Sequence, residues 1–441
     1  MTITVIRNAR IVNEGTIAEG DVSIRNGRID TVASSIASPA GAREIDAAGA
    51  YLMPGMIDDQ VHFREPGFEH KGTIATESKA AVAGGVTSYM EMPNCNPQTI
   101  THEALRDKHS RASRASLANY AFYLGATNDN LDVVKSVDTS LACGVKVFMG
   151  ASTGTLLVQD DEGVEQVLRH THRRATFHSE DEYRLAERRA LARTGDWTSH
   201  EEVRDAASAL QSTHRLVRLA AQLGKRIHVL HVTTAEEMAF LAEHKDVATV
   251  EVTPQHLTLT APEAYERLKG FAQMNPPIRG AAHQAGLWRG VANGVADVLG
   301  SDHAPHTREE KARPYPASPS GMPGVQTLVP VMLTHVANGR LTLERFVDLT
   351  SHGAQRVFGM ADKGRLAVGY DADLTLVDLK ARRTITHEMM ATRAGWTPFD
   401  GFEAEGWPMA TIVRGNVVMR DGEVTLPHLG EPVRFAETLG G

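Results

Sequence analysis

The sequence predicts a (β/α)8 barrel of the TIM type, carrying a small β domain built from its two ends. Three observations predict it. Eight apolar, strand-like runs alternate with helix-patterned stretches through the middle of the 441-residue chain, and that alternation implies parallel strands covered by helices. Both ends read instead as short strands joined by turns. The first strand of the middle region is not followed by the glycine-rich loop that a doubly wound, dinucleotide-binding sheet would need; Gly55 stands alone and the chain runs on into acidic and polar residues.

At the N-terminal end, residues 2–12 are rich in β-branched side chains, and 21–25 (DVSIR) and 28–33 (RIDTVA) flank Asn26-Gly27. Both turn positions of such a dipeptide favour positive φ, which marks a hairpin. At the C-terminal end, 373–378 (DLTLVD), 409–414 (MATIVR) and 416–420 (NVVMR) are strand-like, and Asp421-Gly422 is a second turn signal. The expected division is a small β domain from 1–54 and 364–441, with a barrel from 55–363 inserted between its halves. The barrel runs are 51–57, 86–92, 120–125, 145–149, 175–178, 226–232, 248–252 and 295–300. Between them lie helical patterns such as 212–223, where Leu216, Leu219, Ala220 and Leu223 recur on one face.

Composition excludes several classes of function. Hydrophobic residues make up 42% and charged residues 23%, with a formal net charge of -8 and no basic run, a poor basis for gripping nucleic acid phosphates. Two cysteines, Cys95 and Cys143, make neither a disulfide framework nor a paired zinc motif, which fits a reducing cytoplasm. The N-terminal MTITVIRNAR has no apolar core of a signal peptide, and no window approaches a membrane span. The 20 histidines are a high count for a residue that ligates metals and moves protons.

Their placement matters more than their number. Metal-competent and polar residues stand at the C-terminal ends of the runs: 58–67 (DDQVHFREPG) after the first, Met92-Pro93-Asn94 after the second, His178 then Ser179-Glu180-Asp181-Glu182 after the fifth, His231 in the sixth, Thr253-Pro254-Gln255-His256 after the seventh, and Ser301-Asp302-His303-Ala304-Pro305-His306 after the eighth. In a barrel all these ends meet on the face where active sites are built. A single histidine is more often a hydrogen-bonded structural residue, and His170, His172, His200 and His214 keep that reading. Lys146 lies within an apolar run, where burial lowers an amine's pKa. A neutral amine can add carbon dioxide to become a carbamate able to bridge two metals.

With these motifs in family order, together with GVKVFMGASTG around Lys146, HVTT at 231–234 and MNPPIR at 274–279, the chain resembles the dihydroorotases of the amidohydrolase superfamily over nearly its whole length. The resemblance implies one or two zinc ions. It implies that His62 is the second histidine of a His-x-His pair, Lys146 the carbamylated bridging lysine, His178 and His231 the next ligands, and Asp302 both ligand and catalytic acid/base. Arg64, Asn94 and His306 would hold a substrate carboxylate, and Asn275 would contact the pyrimidine ring. One position departs: Gln60 replaces the first histidine of the pair. An amide oxygen is the weaker, harder ligand, so the metal it serves is expected to be loosely held or dispensed with.

The activity implied is reversible ring closure and hydrolysis between N-carbamoyl-L-aspartate and dihydroorotate in pyrimidine biosynthesis. A metal that lowers the pKa of water supplies the nucleophile, and Asp302 carries its proton to the leaving nitrogen. The rival readings are another cyclic-amide hydrolase, such as a hydantoinase or allantoinase, and a non-catalytic partner of a transcarbamoylase. The resemblance further implies a small anionic substrate, a homodimer and a transcarbamoylase as candidate partner. The GASTG segment at 150–154 is expected to point backbone N–H groups at the substrate, or to be an ordinary flexible loop. The polar stretch 301–323 is expected to act as a lid or to be disordered, and the acidic 179–182 segment to serve a helix N-terminus.

Overall fold

The computed structural model describes residues 3–152, 156–425 and 429–438. Eight parallel strands follow one another in chain order around a barrel: β1 (Met56–Val61), β2 (Val86–Glu91), β3 (Asn119–Gly125), β4 (Ala142–Phe148), β5 (Ala175–His178), β6 (Ile227–Val229), β7 (Ala248–Val252) and β8 (Val298–Leu299). The His62 N–H donates to the His303 carbonyl at 2.7 Å, and Val61 bridges His303 in parallel, which ties the last strand end back to the first. The barrel strands are buried along their whole length, as a parallel sheet covered by helices must be. Helix Ala206–Gln222 shows how the cover is made. Asp205 caps it by accepting from the Ser208 N–H, and Leu216, Leu219 and Ala220 are buried on its inner face, the periodicity seen at 212–223.

The chain ends form a second sheet of nine strands. Tyr51–Pro54 joins its halves: it runs parallel to Ile3–Asn13 and antiparallel to Leu374–Thr384, with Leu374 opposite Pro54. Asn26 and Gly27 sit at φ 50° and 79° between antiparallel strands Thr16–Arg25 and Arg28–Ala33, and Asp421-Gly422 likewise turns at φ 51° and 88°. The expected run 51–57 is thus two strands, one in each sheet. Gly55 is the switch: a Cβ there would lie 2.1 Å from Thr87 Oγ1, so only glycine lets the chain cross from one sheet to the other. Strand β8 is shorter than its run because the N–H groups of Val295 and Ala296 turn back to the Gly290 carbonyl at 2.9 and 3.3 Å instead of joining the ladder.

The stretch 301–323 folds against the barrel. It contains the short helix Arg308–Lys311, and the buried Lys311 ammonium donates to the carbonyls of Gln273 and Pro319 at 2.9 and 2.7 Å. Among the described residues, no helix is long and apolar enough to cross a membrane.

Candidate active site

The residues after the strand ends take up backbone conformations that side chains rarely adopt. Arg64, His231 and Asp302 have φ of 74°, 36° and 43°. Such strain costs of order 1–3 kcal/mol per residue and concentrates at functional sites. Arg64 therefore does not continue a regular strand from His62; β1 ends at Val61 and a turn carries Arg64 onward. The segment is anchored from outside by a buried ion pair. Glu91 Oε2 meets the Lys108 ammonium at 2.7 Å, Glu91 Oε1 accepts the Phe63 N–H at 3.1 Å, and Lys108 donates to the Glu65 carbonyl at 2.6 Å.

The structure brings the expected metal-competent residues together as two pairs. His178 Nδ1 faces His231 Nε2 at 3.2 Å. His62 Nε2 lies 3.2 Å from Asp302 Oδ1, to which Gln60 also donates through its amide nitrogen at 3.0 Å. Burial holds the pKa values of His62, His178 and His231 below the ordinary imidazole range, so all three present neutral rings with a lone pair. Lys146 is fully buried, and its ammonium nitrogen has no hydrogen-bond partner. Burial pushes its pKa down to about 7, the state in which an amine is nucleophilic. Burial pushes Asp302 up to about 6, against the pull of Lys146, near the range suited to proton transfer at neutral pH.

Two site residues were not singled out from the sequence. Glu180 accepts from His178 Nε2 at 2.7 Å, and Arg204 pairs with its carboxylate. Against the burial that would raise it, the charge of Arg204 holds Glu180 far below the usual carboxylate range. The expected helix cap in that acidic segment is Asp181, which accepts the Arg184 N–H at 3.0 Å; its neighbour Glu180 orients an imidazole instead.

A cleft of about 850 Å³ opens at this end of the barrel, lined among others by Arg64, Lys71, Asn94, Ser152, Gln273 and His306. Arg64 Nη2 approaches His306 Nε2 at 3.1 Å, and Lys71 Nζ approaches His306 Nδ1 at 3.0 Å. Burial keeps His306 neutral, its pKa well below the ordinary value. His306 Nε2 also faces the Ser320 carbonyl at 3.0 Å, which takes its N–H, so the one acceptor of the neutral ring is Nδ1, bonded to a Lys71 that Glu310 pairs at 3.2 Å. Arg64 Nη2 gains no acceptor from the ring and is available to an anion in the cleft. Asn275 is not among the lining residues; its Oδ1 faces His200 Nε2 at 3.0 Å. Of the GASTG segment, the Ala151 N–H is tied to Glu182 at 2.7 Å and Ser152 lines the cleft; Thr153 and Gly154 lie outside the described residues.

The set of three metal-competent side chains whose ligating atoms all lie within 4.8 Å of one another is none of those expected, but Asp59, His228 and Glu251, among the described residues. Asp59 was read as lying beyond the first strand, whereas β1 extends through it; the other two are polar residues inside apolar runs.

A buried lysine, paired imidazoles and carboxylates at the mouth of a barrel with a split β domain define a class of hydrolase, and the chain belongs to the amidohydrolase family, whose model matches residues 51–418. It is 34% identical over 443 residues to a dihydroorotase of Methanosarcina acetivorans, covering 97% of this chain and 94% of the relative. It is 36% identical to a dihydroorotase of Halobacterium salinarum, covering 96% and 100%, and 31% identical to an L-hydantoinase of Paenarthrobacter aurescens, covering 95% of each. Among solved structures, an L-hydantoinase (dihydropyrimidinase) from Arthrobacter aurescens superposes with a TM-score of 0.93 at 28% identity, covering 98% of this chain and all of that one.

Proposed function

We propose that this chain is a dihydroorotase, a cyclic-amide hydrolase interconverting N-carbamoyl-L-aspartate and (S)-dihydroorotate. Relatives named dihydroorotase that align over nearly the whole chain support the reading. The observation that carries it is the buried Arg64 guanidinium in the cleft, whose Nη2 lies against a neutral imidazole with no acceptor to offer it. That is a receptor for the carboxylate that distinguishes dihydroorotate from hydantoin. Arg64 supplies the planar fork suited to it, with Asn94 and His306 alongside; Asn275, whose Oδ1 is engaged by His200 away from the cleft lining, would meet the ring only through its amide nitrogen.

The donor set suits zinc. The facing nitrogens of His178 and His231, neutral and buried, are the arrangement two ligands of one ion adopt, and Glu180 on the other nitrogen of His178 is the carboxylate–histidine support typical of metal sites. His178, His231, His62, Asp302 and Lys146, the last as its carbamate, would hold one or two ions. A bound zinc would supply an acidified water and polarise the ring carbonyl. Asp302 would take the proton from the attacking water and return it to the ring nitrogen as the C–N bond breaks; ring closure reverses both transfers. Gln60 donates to Asp302 through its amide nitrogen, so it positions that carboxylate, and an ion in the place its histidine counterpart serves would be weakly held.

The hydantoinase reading has the L-hydantoinase relative in its favour. Hydrolysis rates of dihydroorotate, hydantoin and allantoin by zinc-loaded protein decide between them. Dihydroorotate is expected to be the preferred substrate. Preference for either uncharged ring overturns the assignment, and no turnover of any of them would make the chain a non-catalytic homologue.

A further inference from the structure

We propose that Asp59, His228 and Glu251 form a separate cation site inside the barrel, taking a divalent transition-metal ion such as zinc. The three are fully buried. His228 Nε2 lies 3.2 Å from Asp59 Oδ2, and the ligating atoms of all three lie within 4.8 Å of one another. Ligands at about 2.0–2.2 Å from a tetrahedral zinc sit about 3.3–3.6 Å apart, so little movement closes the site.

The hydrogen bonding points the same way. His228 spends Nδ1 on Thr249 Oγ1 at 2.8 Å, and Glu251 spends Oε1 on the His231 N–H at 2.9 Å. The remaining atoms, His228 Nε2, Glu251 Oε2 and both Asp59 carboxylate oxygens, have no hydrogen-bond partner. Each side chain is thus held so that its spare ligand atom faces the other two, the role that supporting hydrogen bonds play for metal ligands. Space is kept for an ion by Gly300, where a Cβ would lie 2.7 Å from Glu251 Oε2 and 2.8 Å from Asp59 Oδ1. Two carboxylates in a dry interior are costly without a countercharge; Lys146 is the cation that acts on both, and as the carbamate assigned above it would supply none. A divalent ion neutralises both, and the imidazole favours a transition ion over magnesium or calcium, which prefer all-oxygen sites. The geometry of the site does not depend on the hydrolase reading, since none of the three side chains belongs to the ligand set assigned to the catalytic centre.

Diffraction from crystals of the full chain grown with zinc, recorded on both sides of the zinc absorption edge, tests the site. An anomalous peak enclosed by Asp59, His228 and Glu251 is expected. Peaks confined to the region of His178 and His231, or no peak at all, overturn the proposal; the two positions are distinct, so failure of one site does not stand for failure of the other. In solution, His228→Gln and Glu251→Gln should each lower the zinc retained after dialysis by one ion per chain. Unchanged zinc content in the folded variants would also overturn it. Should either variant fail to fold, Thr249→Val is the milder test: it removes only the hydroxyl that holds His228, and should weaken zinc at this position about 10- to 100-fold, with unaltered affinity counting against the site.

Discussion

His178 and His231 meet edge-on, ring centroids 4.8 Å apart, with Nδ1 of one turned to Nε2 of the other at 3.2 Å. The geometry is sustained from behind, because Glu180 takes the second nitrogen of His178 and is itself paired with Arg204. A carboxylate in that position fixes the ring's tautomer and raises its basicity as a ligand. Glu180→Gln keeps the shape but surrenders the charge. Zinc affinity, measured by chelator competition, is expected to fall about 10- to 100-fold, with KM for dihydroorotate little changed. Unaltered zinc affinity would show that Glu180 only braces Arg204.

Arg64 makes a different prediction, because its contribution is to the substrate. Hydrogen bonds to a charged group contribute about 1.5–3 kcal/mol, roughly 10- to 150-fold in an equilibrium constant. Arg64→Lys retains charge but loses the fork, so KM for dihydroorotate should rise by a factor in that range. Any residual turnover of uncharged hydantoin should not follow. Equal losses on both substrates would mean that Arg64, bonded to the Pro305 carbonyl at 3.0 Å, mainly shapes the loop.

How far the sequence disclosed this arrangement depends on what each residue's neighbours are. The barrel alternation, the Asn26-Gly27 hairpin and the gathering of His178, His231 and Asp302 at strand ends are local signals, and local patterns survive folding. The crossing at Gly55 was not legible, since an unbroken apolar run 51–57 serves two sheets and only the proximity of Thr87 forbids a side chain. Asp59 and Glu251 were passed over for a related reason. Each is polar within a strand, and what brings them together is the closure of the barrel, which no spacing along the chain records. Glu180 lay in plain view, but its neighbour Asp181 satisfies the helix-capping explanation, and its contact with Arg204 spans the short helices Glu182–Arg188 and Ser199–Val203, whose mutual orientation the sequence does not record.

Stability should fall on mild acidification, and His335 is one identifiable cause. The ring is buried, bonded to Thr258 Oγ1 at 2.9 Å and packed on Trp288, and burial pushes its pKa down to about 4 from a value near 6.5 in the unfolded chain. The folded state therefore binds fewer protons. Its contribution is fully present above about pH 6.5 and is lost as pH falls from there towards about 4. At pH 5 the loss from this group alone is about 2 kcal/mol. His335→Gln should reduce the drop in urea midpoint between pH 7.5 and 5 relative to the unaltered protein. An identical drop in both would assign the acid sensitivity to other buried groups.

The Glu91–Lys108 pair gives a last prediction, one that links stability to the cleft. Both side chains are 1% exposed, and together they hold Phe63 and Glu65 on either side of Arg64. Removing one partner of such a pair leaves an uncompensated buried charge, at a cost of about 3–5 kcal/mol. Lys108→Met should be destabilised by an amount in that range. Replacing both partners by Lys108→Met with Glu91→Gln should recover much of it, because no net charge then remains buried. Recovery of stability without recovery of substrate affinity is the expected signature, since the double variant still lacks the ammonium that grips the Glu65 carbonyl and so leaves Arg64 on a looser turn. Urea melts and KM values for the three proteins measure the two quantities separately. Were stability and KM to recover together, the pair would matter only through its charge and not through the backbone it ties down.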